Sequence, residues 1–518
     1  MACVVKIFWK RTYLLVEYLG EEMPNICLKK ENIKVPFEMK QLEGNLYRGK
    51  LNVCIAEGRS MLSAGTWTLE IDKKDYADFN DEVLLNVEAL SNVFRYDNDK
   101  AYIVTFFLEE IGREQISLKL QVDYMMKNPH PESRRDALAP KKKMFNLWYR
   151  FWRKIKPKTG KNILFLIENR EEVTGNMEAL YNRMMERELH KTHNITVSSR
   201  NIFKRKSNLL EWLLVVYRIA KNDFIFVEDY VPVLGFLDLD EKTVVVQVWH
   251  AGFGFKSVGY GRFGLEGSPN PFESCHRKYT YGIIGNDHLR DIYSEVWGIE
   301  KENLLATGMP RLSNFLDEDR IQEKSQMIYE KLPVLEGKQV ITFAPTYRGS
   351  NQKDAYYDME RVDQKALYDF CEKTNSVVLM KFHPFLQGQE LVKEKYKKNL
   401  IDVSELNLND LLYVTDVLIT DYSSCFYDFI LLNRPVLFYV YDEVEYSAIR
   451  GVHRQVSKVA PGTICKTFEE LMNALENKVY IDAEVPKFMI DKCSLRQGYT
   501  ANDKIIDYVI FDKKDIDV

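Results

Sequence analysis

Hydrophobic positions change their spacing twice along this chain. Up to about residue 125 they recur at every second place: Trp67, Leu69 and Ile71 alternate with Thr66, Thr68 and Glu70, and Ile116, Leu118, Leu120 and Val122 alternate with Ser117, Lys119 and Gln121. Successive side chains of a strand point to opposite faces, so this period predicts strands with one buried face and a β-rich, sandwich-like unit over residues 1–126. No ionisable cluster converges in it. The expected role is docking, recognition or support, including self-association into a homo-oligomer, rather than catalysis.

Residues 127–160 break that rhythm. Pro129, Pro131 and Pro140 interrupt regular structure, and residues 141–156 then interleave Lys and Arg with aromatics without one acidic side chain. On a helix Phe145, Trp148, Trp152 and Ile155 share one face, flanked by Arg150, Arg153 and Lys154. This is the form of an interfacial helix on an anionic membrane surface, where each basic residue contributes about 1 kcal/mol. It is equally the form of a linker whose aromatics pack on a neighbouring domain.

From residue 161 short apolar runs alternate with helical stretches. Candidate strands are 162–168, 195–199, 224–229, 243–250, 281–286 and 303–308, then 340–345, 377–382, 400–404, 417–421, 435–440 and 463–466. Alternation of this kind predicts parallel sheets. Two series separated near the charged stretch 317–338 predict two Rossmann-like halves, 161–330 and 331–518, facing each other across a cleft. The fold class is α/β. Residues 500–503, Thr-Ala-Asn-Asp, read as a capping box opening a last helix. The length of 518 residues agrees with several domains, since one core rarely grows past ~250–300 residues.

Composition removes other classes. The 72 basic and 76 acidic side chains nearly cancel, so no nucleic-acid partner is expected, and the 141–156 run is the local exception. Eight cysteines with no CxxC pair predict reduced thiols in a cytosolic setting and no zinc site. The N-terminus lacks the apolar core of a signal peptide, and no apolar run approaches the ~18 residues that span a bilayer. Asp238-Leu239-Asp240 imitates a DxD metal motif but precedes a strand, and no metal is expected there.

Candidate chemistry sits at strand ends, where α/β sheets keep it. Trp249-His250-Ala251-Gly252 follows the apolar run 244–248, and a neutral imidazole there can take a proton from an attacking hydroxyl near neutral pH. Gly252 lets backbone approach a ligand, and Lys256 can meet an anion. In the second half, Pro345-Thr346-Tyr347-Arg348, His383-Pro384 and Asp421-Tyr422-Ser423-Ser424 follow three strands that end on one edge. Ser423 and Ser424, with the free N–H groups of the helix they open, form an anion site, and Arg348 can add a bidentate phosphate contact. Each residue alone has a plainer reading, as a helix cap, a core histidine or a surface ion pair. Recurrence at three strand ends of one sheet argues against coincidence.

These motifs, with Phe255-Lys256, His276-Arg277, Thr307-Gly308 and Pro310-Arg311, resemble in kind and order the CDP-glycerol glycerophosphotransferase family of teichoic acid synthesis, over roughly 161–510. The opening Lys6–Arg11 and Leu14–Glu17 resemble the longer ribitol-phosphate polymerases of that family. The resemblance implies a GT-B type fold whose second half holds CDP-ribitol or CDP-glycerol and whose first half receives a lipid-linked wall or capsule polymer, at the cytoplasmic face of the membrane. On that reading His250 is the general base, and CMP leaves without a strong general acid. His383 and Arg348 neutralise the transferring group, and Arg311, Thr346, Asp421, Ser423, Ser424 and Asp428 complete the donor site. Asn176, Gly252 and Lys256 line the acceptor side. No cofactor is implied. A nucleotide-sugar glycosyltransferase of the same architecture and a non-catalytic polymer-binding scaffold remain the alternatives.

Overall fold

A computed structural model describes residues 2–516 apart from 59, 98–99, 112–114, 127–138, 203–207, 263–273, 350–353, 387 and 480–499. Pro129, Pro131 and Cys493 therefore lie outside the described residues. The N-terminal strands form two antiparallel sheets. One runs in the order Cys3–Lys10, Tyr13–Leu19, Leu46–Asn52, Glu38–Glu43, and the other in the order Ile33–Pro36, Ile26–Lys30, Gly65–Ile71, Ile116–Met126, Lys100–Glu110, Asn92–Asp97. Their facing sides close one core, with Ile7, Leu14 and Val16 from the first sheet against Leu28, Trp67, Leu69, Leu118 and Leu120 from the second. The period-two pattern is the record of that face.

Two parallel sheets follow. The first places strands in the order Asn169–Arg170, Asn194–Asn201, Asn162–Ile167, Phe224–Val227, Val244–Gln247, Tyr281–Ile283 and Leu304–Leu305, with the short edge strand antiparallel. The second is parallel throughout: Leu400–Asp402, Ser376–Met380, Gln339–Ala344, Val417–Thr420, Val436–Tyr439, Thr463–Cys465. In each sheet the chain leaves its first strand to one side, then returns to build on the other. Strand order thus reverses between Asn162–Ile167 and Phe224–Val227, and between Gln339–Ala344 and Val417–Thr420. Such reversals open the crevices in which α/β proteins bind ligands.

Every strand expected from the pattern is present, most ending one to three residues earlier. Val244–Gln247 stops short of His250 because Trp249 turns into the left-handed region (φ +58) and its N–H is taken by the Gln247 side chain at 3.0 Å.

The two halves share one hydrophobic cluster, in which Phe253 and Phe255 pack on Phe426 and Phe253 stacks on Tyr427. At the chain end Thr500 and Asp503 form the capping box, and Asp503 and Asp507 pair with Arg183 on the Gly175–Glu186 helix of the first half and with Arg187 that caps it. The N-terminal sheets dock beside them through Arg11 and Thr12 on Glu295 and through Glu38 on Lys301. The seven described cysteines are free thiols. Among the described residues no helix is long and apolar enough to cross a membrane.

Candidate active site

His250 stands on a turn that is held from behind at three consecutive carbonyls. Asn176 Nδ2 donates to the Trp249 carbonyl at 2.6 Å, Arg311 Nη1 to that of His250 at 3.0 Å, and Tyr293 Oη to that of Ala251 at 2.8 Å. A tryptophan at positive φ is strained by roughly 1–3 kcal/mol and persists only where its surroundings over-determine it. These three donors supply that constraint. The imidazole itself is 47% exposed, and its Nδ1 lies 3.0 Å from Oδ1 of Asp229. A carboxylate only accepts, so Nδ1 carries the ring proton and Nε2 presents its lone pair. Burial pushes the Asp229 carboxyl up, but its interactions with His250 and Arg170 and the hydrogen bond from Asn169 outweigh it and hold its pKa below the ordinary value.

The brace behind this turn corrects four expectations. Asn176 is fully buried, and its Oδ1 also accepts from Arg311 N at 3.0 Å, so its amide is engaged behind the turn where an acceptor-lining role was expected. Arg311 gives Nε and Nη2 to Oδ2 of Asp428, across the boundary between the halves. Asp428 is thus buried with Oδ2 on a cation and Oδ1 without a hydrogen-bond partner, and Arg311 is held by protein groups, where contacts to a ribose and a donor phosphate were expected. Burial raises the Asp428 pKa, with Arg311 opposing. Gly252 is required by packing: a Cβ there would lie 2.3 Å from Met309 Cγ and 2.9 Å from the Tyr427 ring.

In the second half Arg348 is turned inward onto protein groups. Arg348 is 4% exposed; its Nε and Nη2 take both oxygens of Asp442 at 2.8 Å, and its Nη1 takes Asp421 Oδ2 at 2.7 Å and the Thr346 carbonyl at 2.6 Å. Asp421 Oδ1 accepts from the N–H groups of Thr346 and Tyr422. Rings of Tyr357, Tyr422, Tyr441 and Tyr446 surround the guanidinium within 5.3 Å. Burial opposes its charge, and the two aspartates outweigh burial. Arg348, Thr346 and Asp421 therefore tie two strand-end loops together, and the expectation of a bidentate phosphate contact from Arg348 gives way to a buried structural ion pair. Arg348 also borders a cavity of about 460 Å³, whose Arg361 and Lys466 are matched by Asp358, Glu443 and Glu445, a lining without preference for anions.

Two other cations and a histidine gather around Tyr347. The Lys256 ammonium, carried by the first half, lies 6.0 Å from the ring centre; the Arg450 guanidinium lies 4.7 Å and the His383 ring 4.6 Å from it. Main-chain pairing of Lys256 with Val452 and of Ser257 with Gly451 fixes the two loops side by side. Among the described residues no carboxylate pairs directly with Lys256. Burial lowers its pKa to about 8, with Asp421 pulling up and Arg450 pushing down. Burial, then Lys256, Lys381 and Arg450, bring His383 down to about 3. His383 is therefore neutral near pH 7. Its Nδ1 accepts from Phe385 N at 3.1 Å, which leaves the proton on Nε2 as a hydrogen-bond donor. Ser423 and Ser424 are half-buried at the crevice; Ser423 Oγ accepts from Cys425 N at 3.3 Å, and Ser424 makes no side-chain cap. His276, in contrast, is buried against Tyr279, and burial takes it to about 3.

The basic aromatic helix, Ala139–Ile155, turns its expected lipid face inward. Trp148 Nε1 donates to the Leu213 carbonyl at 2.9 Å, Trp152 meets Tyr217 edge-on at 4.6 Å, and Phe145 and Tyr149 are buried. Arg150 pairs with Asp238 at 2.7 Å and Arg153 with Asp240 at 3.2 Å, which also accounts for the DxD acids; Lys154 is exposed. Left outside are Leu147 (58% exposed), Phe151 (51%) and Ile155, one stripe at spacing four, with Leu209, Leu210 (75%) and Leu214 of the adjoining Leu209–Lys221 helix. Among the described residues no group of three or more His, Cys, Asp or Glu converges as a metal site.

Sequence reading missed Asp229 and Arg450. Asp229 had a signal, an acid following the apolar Phe224–Val227 strand, while Arg450 lies in a segment with no periodicity of its own.

Ionisable side chains gather at the strand ends of two parallel α/β sheets, and the family to which the chain belongs is one of transferases. The chain belongs to the CDP-Glycerol:Poly(glycerophosphate) glycerophosphotransferase family, which it matches over residues 148–510, and so to the teichoic acid polyol-phosphate transferases. It is 29% identical to the teichoic acid ribitol-phosphate polymerase TarL of Staphylococcus aureus over 97% of each chain, so that likeness extends through the N-terminal sheets. It is 34% identical to the teichoic acid poly(ribitol-phosphate) polymerase of Bacillus spizizenii over 72% of this chain and 60% of that one. Among solved structures, the wall teichoic acid polymerase TagF superposes with a TM-score of 0.57 at 20% identity, covering 72% of this chain and 95% of that one, a shared fold.

Proposed function

We propose that this enzyme transfers ribitol phosphate from CDP-ribitol to a lipid-linked teichoic acid or capsule polymer, with glycerol phosphate from CDP-glycerol as the other candidate. The polymerase likeness that runs the full length of both chains favours ribitol. On this reading the two parallel sheets are the halves of a GT-B fold, acceptor side 161–330 and donor side 331–518, with residues 1–126 an accessory β domain and 127–160 a membrane-associating arm.

The observation that carries the reading is an exposed imidazole on the first half, aimed by Asp229, together with Lys256, Arg450 and His383 gathered around Tyr347 where loops of the two halves meet. The acceptor hydroxyl attacks the β-phosphorus of the donor while His250 Nε2 takes its proton; the new P–O bond forms as the bond to the CMP phosphoryl oxygen breaks. CMP leaves with its charge unprotonated, since a phosphate monoester with second pKa near 6 needs no strong acid. Lys256, Arg450 and the His383 Nε2–H, with Ser423 and Ser424, neutralise the diphosphate. Arg348 acts only by holding the loop that carries Tyr347.

The exposed stripe of Leu147, Phe151 and Ile155 with Leu209, Leu210 and Leu214, rimmed by exposed Lys141, Lys143 and Lys154, is proposed to rest on an anionic bilayer surface, so that the enzyme works peripherally at the cytoplasmic leaflet where its acceptor is anchored. The test is CMP release from CDP-ribitol and CDP-glycerol against UDP release from UDP-sugars, on a lipid-linked primer with product lengths resolved. CMP release from CDP-ribitol is expected; release from UDP-sugars alone refutes the reading.

A further inference from the structure

We propose that Asp229 is a positioning residue for the transfer reaction: it fixes the tautomer and aim of His250 so that Nε2 meets the acceptor hydroxyl as a free base. The inference rests on the polyol-phosphate transfer reading and deepens it.

Asp229 follows the Phe224–Val227 strand at the reversal of the first sheet, beside the strand that leads to His250. Its two oxygens have different duties. Oδ1 meets His250 Nδ1 at 3.0 Å, and Oδ2 accepts from Asn169 Nδ2 at 2.5 Å with the Arg170 guanidinium 4.0 Å away. Arg170 is in turn held by Glu228 and by the Thr174 carbonyl. The carboxylate is thus clamped on one side by donors and offers the other to the imidazole. Behind the turn, Arg311 holds the His250 carbonyl and is matched by Asp428. Nε2 makes no hydrogen bond among the described residues, in keeping with an outward aim toward substrate.

The clamp also predicts what an amide would do. In Asp229→Asn the new carbonyl is drawn to the donors Asn169 and Arg170, and the new NH2 is turned to His250. Nδ1 must then accept, the ring proton moves to Nε2, and the base is lost although packing is kept. A fixed carboxylate also stabilises the imidazolium that forms as the proton arrives.

The experiment uses the full chain, a lipid-linked primer and CDP-ribitol, with CDP binding measured separately. Asp229→Asn is expected to lower kcat by about 10²–10⁴-fold while CDP affinity stays within about twofold. In a His250→Ala background Asp229→Asn is expected to add no further loss, because it acts through the ring. 15N spectra of histidine-labelled protein are expected to show His250 protonated at Nδ1 in the wild type and at Nε2 in Asp229→Asn, and Asp229→Glu is expected to restore part of the rate. Wild-type turnover in Asp229→Asn, an additive loss in the double variant, or a wild-type ring protonated at Nε2 each overturns the proposal. Failure of the wild type to release CMP from any CDP-polyol refutes the transfer reading instead, and the spectra still judge Asp229.

Discussion

Arg348 and Lys256 show how burial and pairing divide two basic residues between structure and binding. Arg348 meets two carboxylates in good geometry, and removing one partner of such a buried pair costs about 3–5 kcal/mol because the other charge is stranded. Arg348→Met is therefore expected to lower the urea midpoint sharply, with the surviving folded fraction binding CDP at near wild-type affinity. Lys256 has the opposite profile: no paired carboxylate among the described residues, and a pKa held near 8. Lys256→Met is expected to leave stability unchanged or improved and to weaken CDP binding by about tenfold, the value of one charged hydrogen bond. The sign of the pH effect follows. The protonated ammonium binds the diphosphate, so affinity holds below pH 8 and falls as pH rises through that value; Lys256→Arg should flatten the fall between pH 7.5 and 9.5 by calorimetry. Local sequence reveals a basic residue after a strand but not whether an acid from a distant loop, here Asp442, will claim it. His250 was legible because a glycine-bearing loop after an apolar strand is a local pattern. The Asp428–Arg311 and Asn176–Trp249 contacts join segments far apart in sequence and leave no local trace.

At the scale of elements the hydrophobic period located nearly every strand, since burial on both faces of a parallel sheet writes continuous apolar runs. It did not say which face of the Ala139–Ile155 helix is inward. That helix carries two apolar stripes, Phe145, Trp148 and Trp152, and Leu147, Phe151 and Ile155. Periodicity marks a stripe without naming its partner. The helix from Leu209 to Lys221 takes the first, leaving the second outside. Two outcomes separate them. Trp148→Ala and Trp152→Ala should each lower stability in urea by on the order of 2 kcal/mol, somewhat under the ~3–5 kcal/mol of a fully buried Trp. The triple change of Leu147, Phe151 and Leu210 to Ser should leave stability unaltered and reduce sedimentation with anionic vesicles at least about tenfold, since each such side chain withdrawn from lipid forfeits up to ~1.5–3 kcal/mol. Unchanged sedimentation would make this face something other than a membrane contact.

Across the whole molecule, the ion pair between Arg311 of the first half and Asp428 of the second joins the two halves and reaches the turn that carries His250, because the same guanidinium also holds the His250 carbonyl. Stability and rate can be separated here. Asp428→Ala strands a buried guanidinium and should cost about 3–5 kcal/mol, whereas replacing both partners, Arg311→Met with Asp428→Leu, removes charge from both sides and should restore most of that loss. The double variant nevertheless lacks the donor to the His250 carbonyl. Asn176 and Tyr293 still hold the neighbouring carbonyls, so the turn survives with the imidazole less well aimed, and a displacement well under 1 Å suffices to slow transfer by about 10–100-fold. Urea unfolding should therefore place the double variant near the wild type, while CMP release at saturating donor and acceptor stays depressed. Recovery of both would mean that the interlobe pair serves only to hold the halves together; recovery of stability alone would show that the contact between lobes also sets the aim of the base.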